Sequence, residues 1–285
     1  MLVHLKSILE EKLKSGGALG AFNTFNLEMT QGIIRGIKEA GEPAIIQTTE
    51  NAISYAGIQA IFHLIKATIE AESNNVPVAI HLDHGKNLEI IKEAIKLGYS
   101  SVHIDASAYS FEENIKITKL VAGLGHEKGV LVQGELGNIY GKEGLIKMQQ
   151  GESFKKLLTK PEQIKEYVER TGVDTVAVAI GSLHGHFIGQ EKLDLERLKK
   201  IQEAVPIPLV LHGGSGISAT EIREAIKLGV RIINVDTDLR IAFSSALRES
   251  LQLETDEVDP RQLLNKSIKA VAGAVNNKIR LFNLR

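Results

Sequence analysis

Short apolar runs alternate with longer stretches of helical periodicity along the whole chain. The runs are 18–23 (ALGAFN), 43–49 (PAIIQTT), 76–84 (VPVAIHLDH), 100–107 (SSVHIDAS), 130–136 (VLVQGEL), 174–181 (DTVAVAIG), 207–214 (IPLVLHGG) and 231–236 (RIINVD). Short runs apolar on both faces read as strands of a parallel sheet covered on both sides. The intervening patterns predict helices over 28–40, from the second run to about Ser73, over 88–97, over 110–128, from near Pro161 to Gly172, and from the eighth run to the end. Gly41, Gly98, Gly129 and Gly172 stand at helix ends, and Ser110–Glu113 and Ser218–Glu221 are spaced as capping boxes.

Eight strand–helix units predict an α/β fold, a (β/α)8 TIM barrel, as one domain over 1–285. A doubly wound open sheet would carry a glycine-rich turn after its first strand, and AFNTFNLE (21–28) has no glycine. The connection at about 137–159 is long for a barrel, as a lid or a carrier of functional residues would be.

Composition narrows the function. The 34 Lys and Arg are balanced by 35 Asp and Glu, so the basic excess of a nucleic-acid binder is absent. Cysteine is also absent, so any metal site must use His and carboxylates. There is no apolar stretch of membrane-spanning length, and the charged run 1–17 lacks the apolar core of a signal peptide. A cytoplasmic protein without nucleic-acid or membrane partners is expected.

Barrel enzymes gather their chemistry where the strands finish. The residues at or just past the strand ends here are Asn23, Thr48 and Thr49, Asp83 and His84, Asp105, Glu135, His184, His212, and Asn234 with Asp236. His4, His63 and His126 lie in helical patterns and read as solvated or packed side chains. His81 and His103 lie inside strands and read first as core or supporting residues. His84, His184 and His212 each follow the apolar part of a strand, and three imidazoles with an open position make a catalytic metal site. Asp83, next to His84, suits a ligand-orienting carboxylate or a general acid/base beside bound substrate. Asp105 and Glu135 suit a second cation or support for the histidines. HGGSG (212–216) leads into a helix and offers unpaired backbone N–H groups to an anion, alternatively a tight turn that needs glycine.

The ordered set VPVAIHLDHG, SVHIDAS, FEENIKITK, ELG, TGVDTVAVAIGSLHG, PLVLHGGSG and INVDTDLRIAF resembles the class II fructose-1,6-bisphosphate aldolases, with the related tagatose-bisphosphate aldolases sharing most motifs. The resemblance covers nearly the whole chain. It implies His84, His184 and His212 as zinc ligands, with cobalt or manganese as alternatives. Glu135 and Asp105 match positions linked to an alternative or second cation, including a monovalent one. It implies Asp83 as the catalytic aspartate at the hydroxyl of the cleaved bond, and Glu143 as the loop acid serving the dihydroxyacetone-phosphate carbon. Gly185, Gly213 and Ser215 match phosphate-holding positions. Asn234, Asp236 and Thr237 match substrate contacts, with Asn23 and Thr49 as further polar contacts. The implied partner is a phosphorylated sugar, and the implied assembly a homodimer or homotetramer.

The chain departs from the family pattern in places. The loop reads Tyr140-Gly141-Lys142-Glu143-Gly144, with one carboxylate fewer than usual. Leu183 is bulkier than the usual residue before the histidine, Phe187 and Ile188 replace an aromatic–lysine pair, Gly134 replaces alanine or isoleucine, and His103 stands where methionine is usual. NVDTDLR favours fructose 1,6-bisphosphate over tagatose 1,6-bisphosphate or another phosphoketose. Rival readings are a Schiff-base aldolase, for which no strand ends clearly in lysine, a metal-dependent hydrolase barrel, for which strand one lacks a His-x-His pair, and a sugar-phosphate-binding protein without turnover.

Overall fold

A computed structural model describes residues 1–138, 157–182, 192–253 and 256–284 in full, and the backbone of 145–146 and 186–187. Eight parallel strands close into a barrel: β1 (Leu19–Asn23), β2 (Ala44–Thr49), β3 (Val78–Gly85), β4 (Ser101–Ile104), β5 (Leu131–Leu136), β7 (Thr175–Val178), β9 (Leu209–Leu211) and β10 (Val230–Val235). β1 pairs with both β2 and β10, which closes the ring and excludes the open sheet. The two short strands β6 (Leu145–Ile146) and β8 (His186–Phe187) pair with each other outside the barrel.

The strands are apolar on two faces because they serve two cores. Phe22, Ile46, Ile80, Leu82, Val102, Val132, Val176, Leu211 and Ile233 point outward into the layer shared with the helices. Leu19, Ala21, Ile45, Ala79, Ala177, Val210 and Ile232 form a second cluster, alternating with the outward set. That inner cluster is closed by Leu5, Ile8 and Leu9 of α1 (Leu5–Ser15), so the charged run at the start of the chain folds as a helix over the N-terminal end of the barrel.

Two steps further along the inner face, the character changes. Ala21 is followed by Asn23, Ile45 by Gln47, Ala79 by His81 and then Asp83, Val210 by His212, and Ile232 by Asn234, all buried. Ser101 and His103 on β4 and Gln133 and Glu135 on β5 are buried in the same alternation. The barrel is thus apolar at its N-terminal end and polar at its C-terminal end.

The helices are α2 (Leu27–Ala40), α3 (Glu50–Ala56), α4 (Ile58–Glu72), α5 (Leu88–Leu97), α6 (Phe111–His126), α7 (Pro161–Thr171), α8 (Leu195–Ala204), α9 (Ala219–Lys227), α10 (Thr237–Leu253) and α11 (Pro260–Phe282). Ser110 and Ser218 cap α6 and α9, each accepting from the N–H three residues on. Three expectations need correction. The helix expected after the second strand is two, bent by 96° at Gly57, whose φ of 80° breaks the ladder. The helical sequence after the eighth strand is also two helices, the second begun by Pro260 with Asp259 as its cap. Most strands are shorter than their apolar runs: β1, β2, β3 and β5 omit only the first residues, while β4, β7 and β9 also give up their last residues to the rim.

Candidate active site

Asp83 and His84 are neighbours on β3, and ordinary pleating would send their side chains to opposite faces. Both nevertheless reach the barrel mouth. The register against β4 slips between Leu82 and Gly85, so β3 carries one extra residue there. His84 takes up that residue with φ of 49°, a left-handed conformation that is uncommon outside glycine. Gly85 follows because β4 passes too close for a side chain: an added Cβ would lie 2.7 Å from the His103 carbonyl oxygen.

The Asp83 carboxylate is held by three amides. Oδ2 accepts from Asn23 Nδ2 at 2.9 Å and from Gln47 Nε2 at 3.2 Å, and Oδ1 accepts from Asn234 Nδ2 at 3.1 Å. Gln47 also donates to Asn23 Oδ1 at 2.7 Å, which locks the set together. Burial alone would raise the Asp83 pKa, but the imidazoles of His84, His103 and His212 hold it well below the ordinary carboxylate range.

Nδ1 of His212 lies 2.9 Å from Nε2 of His84. The outer nitrogen of each ring has its own partner. His84 Nδ1 donates to Asp105 Oδ2 at 3.1 Å, and His212 Nε2 meets the Gln133 side-chain amide at 2.9 Å. Asp105 is fixed in turn by the backbone N–H and the hydroxyl of Ser107 and by Lys86 at 3.3 Å. Two nitrogens bound to one tetrahedral zinc lie roughly 3.3 Å apart. A facing imidazole pair with its outer nitrogens held by a carboxylate and an amide therefore fits a metal ion.

Glu135 Oε2 sits among three rings, 3.5 Å from His103 Nε2, 3.9 Å from His212 Nδ1 and 4.0 Å from His84 Nδ1. It is buried without a hydrogen-bond partner, as is His103 Nε2. Burial, with Asp105 close by, pushes the Glu135 carboxyl up to about 8. Burial works to lower His84, but Asp83, Asp105 and Glu135 outweigh it and raise this imidazole to about 9. Two sets able to hold a metal emerge: Asp83, His84, His103 and His212, and His84, Asp105 and Glu135.

Across the mouth, Gly213 (φ 65°), Gly214 and Ser215 lead from β9 toward α9. Gly214 N–H donates to Asn234 O at 2.9 Å, and a Cβ there would lie 2.5 Å from Ile233 Cγ2. Ser215 Oγ accepts from Asp238 N–H at 3.2 Å, joining this loop to the first turn of α10, which Thr237 opens. Lys278 of α11 pairs with Asp238 at 2.6 Å and reaches Gly214 O at 3.3 Å. Asp236 accepts from Arg240 at 2.7 Å. Thr49 accepts from Ala52 N–H as the cap of α3.

Asn23, Asp83, His84, Asp105, Glu135, His212 and Asn234 thus come together as one network. Glu143, His184 and Gly185 lie outside the described residues. Gln47 and Gln133 were missed by the sequence reading, and His103 was placed only as support. The available signal was the period of two: Gln47 and Gln133 stand two positions before Thr49 and Glu135, on the inward face.

A metal-capable histidine pair and an ionised aspartate thus lie together in the mouth of a (β/α)8 TIM barrel, and comparison with known proteins decides its lineage. Residues 3–285 match the family model described as fructose-bisphosphate aldolase class-II. The chain belongs to the class II fructose-bisphosphate aldolase family. It is 41% identical over 282 residues to the fructose-bisphosphate aldolase of Geobacillus stearothermophilus, covering 99% of this chain and 96% of the relative. It is 39% identical to the probable fructose-bisphosphate aldolase of Bacillus subtilis, covering 99% of this chain and 97% of the relative. Among solved structures, the YdjI aldolase of Escherichia coli K12 superposes with a TM-score of 0.83 at 34% identity, covering 99% of this chain and 97% of that one. Class II aldolases are metal-dependent, and this member carries a His, Asp and Glu cluster able to hold the ion. Among the described residues no single helix is long and apolar enough to cross a membrane.

Proposed function

We propose that the protein is a zinc-dependent aldolase that reversibly cleaves fructose 1,6-bisphosphate to dihydroxyacetone phosphate and glyceraldehyde 3-phosphate. The observation that carries this reading is the facing pair of His84 Nε2 and His212 Nδ1, 2.9 Å apart and braced from behind, next to an aspartate held by three amides. His84 and His212, with His184 from the sequence motif, would hold the ion. Zinc suits three imidazoles, and cobalt or manganese would also fit. When bound, such an ion supplies Lewis-acid polarisation of a carbonyl.

The remaining chemistry belongs to the chain. Asn23, Gln47 and Asn234 aim Asp83 and the neighbouring imidazoles keep it ionised, so that it accepts the hydroxyl proton as the carbon–carbon bond breaks. The bonding electrons stay with the three-carbon ketone fragment, and Glu143 delivers the proton that this carbon requires. Synthesis reverses both transfers. Gly213, Ser215 and Thr237 would hold a phosphate through backbone N–H groups near a helix start, the Gly214 N–H being committed to Asn234 O and the Asp238 N–H to Ser215 Oγ. Asp236 and Thr237 lie on the same rim and would meet the sugar. A homo-oligomer in the cytoplasm is the accompanying expectation.

Cleavage of fructose 1,6-bisphosphate should be lost in EDTA and restored by zinc. The same assay with tagatose 1,6-bisphosphate should give a lower kcat/KM. EDTA-resistant cleavage would remove the role given to the histidines, and a tenfold preference for tagatose would overturn the substrate.

A further inference from the structure

His103 stands where the family usually has methionine, and its ring is fully buried on the inner face of β4. Its Nδ1 accepts the backbone N–H of His84 at 3.1 Å. That N–H belongs to the residue with φ of 49° at the register slip of β3. At a bulge the ladder is locally disrupted and the extra residue is left unpaired. The His103 ring therefore supplies the acceptor that the slipped ladder does not.

The bond also settles the ring's protonation pattern. With the Nδ1 lone pair committed to an N–H, a neutral imidazole carries its proton on Nε2. Nε2 faces Glu135 Oε2 at 3.5 Å, and neither atom has a hydrogen-bond partner. Although His103 lies within ligand distance of Asp83, His84 and His212, its inner nitrogen is taken and its outer nitrogen bears hydrogen.

We propose that His103 is a positioning residue and not a metal ligand: it fixes the left-handed backbone of His84, and so aims the His84 ring, while its Nε2–H faces the buried Glu135 carboxyl. The inference rests on the reading of His84 as a metal ligand.

The test uses the full-length protein with His103→Met and His103→Asn. Asparagine places a carbonyl oxygen near the position of Nδ1 and can still accept from His84, whereas methionine cannot. In the metal-free protein, hydrogen exchange at the His84 amide should be faster in His103→Met and parent-like in His103→Asn. Cobalt affinity, read from its visible absorption against a competing chelator, should fall about 10–100-fold in His103→Met and stay near the parent in His103→Asn. In 15N-histidine spectra, His103 should keep its Nε2–H form with and without cobalt or zinc. Parent-like His84 exchange and metal affinity in His103→Met, equal losses in both variants, or loss of the Nε2 proton when metal binds would each overturn the proposal. A parent protein that binds no cobalt or zinc would instead refute the metal reading, leaving the His84 exchange result to decide the backbone role.

Discussion

Three amide hydrogen bonds aim Asp83, while the imidazoles of His84, His103 and His212 keep its basicity low. Asp83→Asn keeps the shape and removes the proton acceptor. It should lower kcat about 10²–10⁴-fold while metal affinity changes little, measured by steady-state cleavage and metal titration. His84 and Glu135 give the metal-free protein a pH dependence with a definite sign. Both have folded values above their ordinary ones, about 9 against 6.5 for His84 and about 8 against 4.5 for Glu135. Between pH 6.5 and 9 the unfolded chain therefore holds fewer protons than the folded one, and stability falls as pH rises. His81, pushed down to about 3 by burial, is neutral when folded and opposes the trend only at the lower edge of the window, where the unfolded imidazole still holds part of its proton. Thermal unfolding of EDTA-treated protein should show Tm falling from pH 6.5 to 9. A Tm that rises across that range would contradict the assigned shifts.

At the scale of elements, the rim works because loops are held by what lies behind them. Gly214 is squeezed between Ile233 and Asn234 of β10, while Lys278 of α11 holds its carbonyl and Asp238. Gly214→Ala would drive a methyl group into the strand, so the loop must move. A cost of about 1–3 kcal/mol is expected. KM should rise more than kcat falls, because the displaced loop is the one proposed to hold phosphate. An unchanged KM would place the phosphate elsewhere.

At the scale of the molecule, the barrel separates stability from chemistry along its axis. The inner face is apolar at the N-terminal end, where α1 seals it, and polar at the other end. Ile8→Ala should cost about 2–5 kcal/mol by opening a cavity under the barrel floor. The zinc-loaded enzyme should keep its kcat below the new Tm. A fall in kcat at temperatures where the variant is fully folded would show that the floor and the mouth are coupled.

Much of this organisation was written locally. Strand burial, helix caps at Ser110 and Ser218, and the change from Ala79 to Asp83 on one face follow from period and residue type, because they depend on neighbours in the chain. The strand count and the closing fold followed from the same patterns, and the strand-end polar residues named most of the cluster. What tertiary structure alone decided is the slip in β3. A non-glycine residue takes a left-handed conformation there because β4 offers His103 as an acceptor and leaves room only for Gly85 beyond it. That contact spans elements, so no local pattern encodes it, yet it turns two adjacent side chains to one face. Gln47 and Gln133 were hidden for the same reason. An inward amide becomes a brace only when another strand brings it a carboxylate or an imidazole.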